Sequence, residues 1–336
     1  MNLPMTGAVD APLMLENIPA LQDEVRVLKA DHEAVILAHN YQLPEIQDVA
    51  DYVGDSLGLS QRAAASGAAT IVFCGVHFMA ETASVLCPDK RVLIPDLDAG
   101  CSLADSITAE QLRDWKVAHP GALVVMYVNT TADVKAETDY CCTSANAVQV
   151  VEHIYREHGE DAEILFGPDM FLGSYVERVT GRRLHVWDGE CHVHAGIRPD
   201  DISAVRAANP RADFLIHPEC GCSTSVMEYV ASGDVDSEGV HMLSTGGMLG
   251  YAVAHSGDRG ATAIVATETG MLHGLREAAP NTKFIAANEA AHCRYMKMIT
   301  LPKLRDALRD GVHEVKVEHE IAQRARVPIE RMVAIS

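Results

Sequence analysis

Three polar triplets recur along the chain: His39-x-Tyr41, Tyr127-x-Asn129 and His217-x-Glu219, spaced 88 and 90 residues apart. Imidazole, phenol and carboxylate groups pass protons, and these groups and carboxamides hold carbonyls, so the six residues are acid–base and binding candidates. Downstream of each triplet a hydroxyl follows a short apolar run, at Ser56, Ser144 and Thr245. Each stands where a strand is expected to give way to a helix, which predicts the N-cap position. A helix start offers unpaired N–H groups and partial positive charge, so three of them facing inward would bind anions. A lone cysteine closes each stretch: Cys101, Cys191 and Cys293. A closed zinc site takes four ligands, often as paired CxxC knuckles, and no such pair is present. Three thiolates suit a [4Fe–4S] cluster better, with one iron left open as a Lewis acid for a substrate oxygen.

The other six of the nine cysteines read differently. Cys74 and Cys87 fall in apolar surroundings and are expected to pack. Cys141 and Cys142 precede Ser144 on a strand, and Cys220 and Cys222 flank a turn beside Glu219, where they are candidates to line the site. The odd count, and an N-terminus without a basic start or continuous apolar stretch, predict reduced thiols or metal ligands rather than disulfides in a cytoplasmic protein. His192 and His194 follow Cys191 and are expected to support it, whereas His119, His153 and His158 read as solvated.

The elements that position these residues follow from the same repeat. Each triplet ends a strand-like run (AVILAH, ALVVMY, ADFLIH); a helix, a hydroxyl-ending strand, a second helix and two more strands follow. TIVFCG, EILFGP and TAIVAT are the third strands, and RVLIPD, RLHVWDG and KFIAAN the fourth. This alternation predicts an α/β fold of three similar αβα domains with parallel sheets about a pseudo-threefold axis. The expected units are 1–110 with a helical lead-in at about 13–30, 111–200, and 201–336 with a helical tail from Pro302 and a loop insertion at 233–239. Ligands of parallel sheets gather beyond the carboxyl ends of the strands, so one central site built from three thirds is expected.

Composition narrows the function. With 27 basic and 47 acidic residues the formal charge is −20, which argues against nucleic acid as a partner. No apolar run reaches the roughly 18–20 residues of a membrane span. Neither a P-loop nor a dinucleotide-binding or serine-hydrolase fingerprint occurs in its required context. The residues leave two other classes open: a hydro-lyase using the same open iron, and an iron–sulfur sensor, which would need a basic DNA-binding helix.

The segments LAHNYQLPEIQDVADYVGDS, CGVHFMAET, AGCSLAD, MYVNTTADVKAETDYCCTS, GECHVHAGI, HPECGC, LSTGGM, ATETGMLHGL and HCRYMK together resemble the quinolinate synthase family of NAD biosynthesis. The resemblance implies a transferase that condenses iminoaspartate with dihydroxyacetone phosphate to quinolinate, releasing phosphate and water. It implies a [4Fe–4S] cluster on Cys101, Cys191 and Cys293. Substrate contacts are implied for His39, Ser56, Tyr127, Asn129, Ser144, His217, Glu219 and Thr245, with Tyr41, His217 and Glu219 as catalytic groups. Functional coupling to an aspartate oxidase follows from the pathway. The CxxCxxC array that some members carry near the last ligand is absent around Cys293.

Overall fold

The computed structural model describes residues 17–232 and 237–335. Within them, three four-stranded sheets form, each wholly parallel. The first contains β1 (Ala34–His39), β2 (Tyr52–Gly54), β3 (Thr70–Cys74) and β4 (Arg91–Leu93). The second contains β5 (Leu123–Tyr127), β6 (Tyr140–Cys142), β7 (Ile164–Gly167) and β8 (His185–Val186). The third contains β9 (Asp213–Ile216), β10 (Val240–Met242), β11 (Thr262–Ala266) and β12 (Lys283–Ala286). All three share one strand order, β2-β1-β3-β4 and its equivalents.

The central strands read as continuous apolar runs because helices cover both faces of each sheet. Ile71, Val72, Phe73 and Cys74 of β3 are all buried, as are Ile164, Leu165 and Phe166 of β7. The α/β layering expected from the repeat is therefore present, and each expected third and fourth strand lies within its apolar run.

The amino ends of the sheets are tied by a repeated device. Asp51 accepts a hydrogen bond from the Ile36 amide at 2.8 Å, and Asp139 accepts one from the Val124 amide at 2.8 Å. In the third sheet the Gly239 carbonyl does this for the Phe214 amide, at 2.6 Å. Residues 233–236 of the expected insertion lie outside the described residues, as does the start of the expected lead-in, whose helix runs Ile18–Asp31.

The C-terminal segment, although it follows the third sheet in sequence, lies on the first and second. Helix Leu301–Asp310 packs on Ile18–Asp31. His313 then exchanges backbone hydrogen bonds with Ile94, at 3.0 and 3.3 Å. Helix His319–Ala334 lies against helix His77–Leu86 and β6. There Asn146 donates to the Met332 carbonyl at 2.9 Å and Arg326 to the Val85 carbonyl at 2.6 Å.

Candidate active site

The carboxyl ends of all three sheets border one cavity of about 710 Å³, its open mouth included. Every residue singled out from the triplets, the hydroxyls and the three lone cysteines lines it.

The two histidine triplets share one local geometry. The Tyr41 amide donates to His39 Nδ1 at 3.2 Å, and the Glu219 amide donates to His217 Nδ1 at 3.4 Å. With Nδ1 accepting, the neutral ring carries its proton on Nε2. His217 Nε2 accordingly lies 3.1 Å from Ser144 Oγ. Burial, reinforced by His217 beside it, pushes the His39 imidazole down to about 3. Burial and His194 push His217 down to about 4 against the pull of Glu219. Both rings are therefore neutral near pH 7.

The acid–base groups are linked through a residue that the sequence reading treated only as support for Cys191. His194 Nδ1 lies 3.0 Å from Glu219 Oε2 and 3.2 Å from Cys191 Sγ. Its Nε2 faces Tyr41 Oη at 3.2 Å and Thr267 Oγ1 at 2.9 Å, and Tyr41 Oη is 2.5 Å from Thr267 Oγ1. Burial disfavours protonated His194, but its acidic neighbours, with the Glu219 carboxylate carrying the charge at 3.0 Å, outweigh it and hold the imidazole well above its ordinary value. Burial alone would raise Glu219; His194, His217 and a hydrogen bond from Tyr127 reverse this and bring it to about 2. Burial raises the Tyr41 and Tyr127 phenols, which remain protonated donors.

The hydroxyls require a correction. Ser56 and Thr245 are the first residues of their helices, not the caps; Asp55 caps the first, accepting from the Gly58 amide at 2.8 Å, and Ser244 caps the other, accepting from Gly247 at 3.1 Å. Ser144 stands in the turn before Asn146, the cap position of helix Ala147–His158. A short strand-to-helix junction looks alike in sequence whichever of two adjacent polar residues turns inward. Because neighbours cap, the Ser56 hydroxyl can face the cavity, while Thr245 Oγ1 accepts from Asn40 at 2.9 Å. The two caps also touch, Ser244 Oγ to Asp55 Oδ2 at 3.4 Å, which joins the first and third rims. Gly246 leaves room for this junction: a Cβ there would come within 2.6 Å of Asp55 Oδ2.

Cys101, Cys191 and Cys293 come from the loops after β4, β8 and β12 and are partly exposed to the cavity. Burial raises the Cys101 thiol, with Cys191 and Cys293 near enough to add to the effect, and burial raises Cys293 to about 11. Thiols held so high ionise when a metal supplies the compensating charge. Two buried acids that sequence reasoning missed sit behind them, each two residues beyond the third strand of its sheet. Glu268 accepts from the Cys293 amide at 3.0 Å and pairs with Lys297 at 3.1 Å; Asp169 lies against the Cys191 amide. Their equivalent position past β7 and β11 is the signal that could have found them.

The remaining cysteines stay out of the cavity. Cys74, Cys87, Cys141 and Cys142 are buried thiols. Cys220 and Cys222 are joined as a disulfide, contrary to the expectation of reduced thiols, and pack in the third sheet's core with Ile197 and Phe214 rather than lining the site. The turn at Gly221 brings their Cα atoms to 5.1 Å, within bridging range. His192 borders the cavity and meets Ser102 Oγ at 2.6 Å through Nδ1.

Two buried acceptors, Asn129 Oδ1 and Glu219 Oε1, have no protein partner. Unpaired acceptors in a cavity wall await donors from a ligand. With the three soft sulfur donors and the neutral imidazole N–H groups, they describe a cavity able to hold a polar substrate next to a thiolate-bound metal centre.

Comparison with known proteins bears on this arrangement. The family model described as Quinolinate synthetase A protein matches residues 23–334. A quinolinate synthase of Mycobacterium sp. (strain KMS) is 58% identical over 313 residues, 93% of this chain and 91% of the relative. Those of Mycolicibacterium paratuberculosis and Mycobacterium tuberculosis (strain H37Rv) are 58% and 57% identical over 313 residues, 93% of this chain and 88% of each relative.

Proposed function

We propose a reaction for this cavity from one premise: the chain belongs to the quinolinate synthase family and is an enzyme. The reaction is the condensation of iminoaspartate with dihydroxyacetone phosphate to quinolinate, with loss of phosphate and water. The observation that carries it is the meeting of three cysteines, one per sheet, with the three polar triplets in a single cavity.

Cys101, Cys191 and Cys293 would hold a [4Fe–4S] cluster, and the donor set fits it: three thiols and no fourth cysteine on the cavity wall. When bound, such a cluster supplies an open iron that acts as a Lewis acid towards a leaving hydroxyl. The chain's own groups do the rest. Both substrates are anions, and the Ser56 and Thr245 hydroxyls with the helix starts behind them offer donors and partial positive charge. Neutral His39 presents Nε2–H to a carboxylate or carbonyl oxygen without a formal charge, and His217 does so through Ser144, whose Oγ meets its Nε2–H. Asn129 and Tyr127 orient the substrate from the second sheet. Tyr41, adjoining His194 and Thr267, gives and takes the proton that enolisation and imine tautomerisation require, and the Glu219 carboxylate holds the charge of protonated His194. Enclosure by three rims excludes water from an imine that hydrolyses readily.

The reading includes an aspartate oxidase as the source of iminoaspartate and a cytoplasmic setting. No helix among the described residues is long and apolar enough to cross a membrane. An anaerobic assay with both substrates, iron being quantified in the same sample, tests the proposal. Quinolinate formed in proportion to iron supports it; an iron-loaded protein that only dehydrates a hydroxy acid overturns it in favour of a hydro-lyase.

A further inference from the structure

A second group of ligating side chains lies at the opposite ends of the strands. His119 follows helix Ala109–Ala118 ahead of β5, Glu163 directly precedes β7, and His185 opens β8. A ring nitrogen from each histidine and a Glu163 carboxylate oxygen all lie within 4.8 Å of one another. The two imidazole centroids are 4.2 Å apart, and His185 Nε2 is 3.7 Å from Glu163 Oε2. The cluster is partly organised already. Trp115 meets the His119 ring edge-on at 6.4 Å, and the His119 carbonyl accepts from the Ala122 amide at 3.2 Å. The Glu163 carbonyl accepts from the Leu123 amide at 2.8 Å.

The repeat does not demand these residues. Aligning the three triplets and following the strand registers places Thr70 and Thr262 at the station of Glu163, and Leu93 and Ile285 at that of His185. An apolar residue on the fourth strand is the pattern of the other two sheets. The second sheet departs from it at two stations whose side chains converge.

We propose that His119, Glu163 and His185 bind a divalent transition-metal ion of the zinc type, with water completing its shell. Two imidazoles and one carboxylate are a donor set that zinc takes with an open fourth position. Ligand atoms on a tetrahedral zinc stand roughly 3.3 Å apart. The Glu163 side chain is 61% exposed, so it can swing the remaining distance without disturbing the core. The formal charge of −20 makes the protein as a whole attractive to cations. A bound ion would clip β8, a two-residue edge strand, to the starts of β5 and β7. Among the described residues the other group of this kind, Cys191, His194 and Glu219, belongs to the cavity already described.

The test uses iron-loaded enzyme, so that the cavity cysteines are occupied. Stoichiometric zinc is added and followed by calorimetry, and cobalt is added in parallel and followed by its visible d–d absorption. One equivalent of zinc should bind to the unaltered protein and be lost in His119→Ala and in His185→Ala. Glu163→Gln, at an exposed side chain that folding does not need, should weaken binding at least about tenfold, the smaller end of losses seen when even a supporting group is removed. Iron content should stay the same throughout. Absence of zinc uptake at stoichiometric concentration, or an equivalent that survives all three substitutions, overturns the site.

Discussion

At the amino ends of β1, β5 and β9, equivalent stations do the same thing: Asp51 and Asp139 each accept one strand amide, and the Gly239 carbonyl replaces them in the third sheet. At the carboxyl ends, equivalent stations do different things. His39 and His217 present matched neutral imidazoles, whereas the second sheet puts Tyr127 there and leaves the Asn129 oxygen unpartnered. The hydroxyls divide in the same way: Ser56 and Thr245 open helices, while Ser144 is tied across the cavity to His217. At one end of the repeat the anchor of the first strand is kept alike by folding, since each sheet needs it, even though the second sheet departs from its fellows nearby at Glu163 and His185. The other end carries no such requirement, and its differences track what a substrate with unlike ends would need.

The comparison is broken most severely at the cysteines. Cys101→Ser, Cys191→Ser and Cys293→Ser are each expected to abolish bound iron, its visible absorption and quinolinate formation, whereas Cys74→Ser, in the buried strand β3, should keep its iron. A variant at one of the three stations that holds full iron would show that the rims are not equivalent there.

Next in size is Tyr41→Phe, which removes the hydroxyl facing His194 and Thr267. The turnover number should fall by about 10²–10⁴ with iron content unchanged. A drop confined to KM would assign Tyr41 to binding alone.

The hydroxyls sharpen the contrast between capping and binding. Ser56→Ala and Thr245→Ala should raise KM while moving the melting temperature little, because Asp55 and Ser244 hold the caps. Asp55→Ala should instead cost about 1 kcal/mol of stability. Equal melting losses from Ser56→Ala and Asp55→Ala would erase the distinction.

The imidazoles make stability pH-dependent. His39 and His217 lie near 3 and 4 when folded and near 6.5 when unfolded, so below about pH 6.5 the unfolded chain binds protons that the folded chain does not. Stability should therefore fall as pH drops from 6.5 towards 4, by up to about 1.4 kcal/mol per pH unit for each ring. Denaturant titrations of His39→Gln should show a shallower fall over that window. An unchanged slope would mean that the ring is already protonated in the folded protein.

The smallest effect belongs to the amino end. Asp139→Ala should cost about 1 kcal/mol through the lost Val124 hydrogen bond and leave KM unaltered. A change in KM would carry the influence of that end into the cavity.

The strands were legible because each is an apolar run closed by a polar station, and three copies of one pattern reinforce each other: TIVFCG, EILFGP and TAIVAT contain β3, β7 and β11. The cysteine stations were legible for the same reason. What stayed hidden depends on directions that periodicity does not encode. Whether Asp55 or Ser56 caps, and that His194 reaches Tyr41, Thr267 and Glu219 at once, follow from the meeting of separate sheets. The Cys220–Cys222 disulfide is hidden from the sequence because compartment does not fix the state of one pair, whereas the tight turn at Gly221 brings these two together.

Finally, one cysteine from each of three sheets means that no single sheet owns the grip on whatever the thiols hold. Such a ligand acts as a cross-link between three sheets that already share one apolar core, and its binding energy is shared among them by linkage. Loosening any one rim releases the ligand from all three. Loading should therefore raise the melting temperature of the whole protein, and losing any one of the three thiols should forfeit that gain entirely.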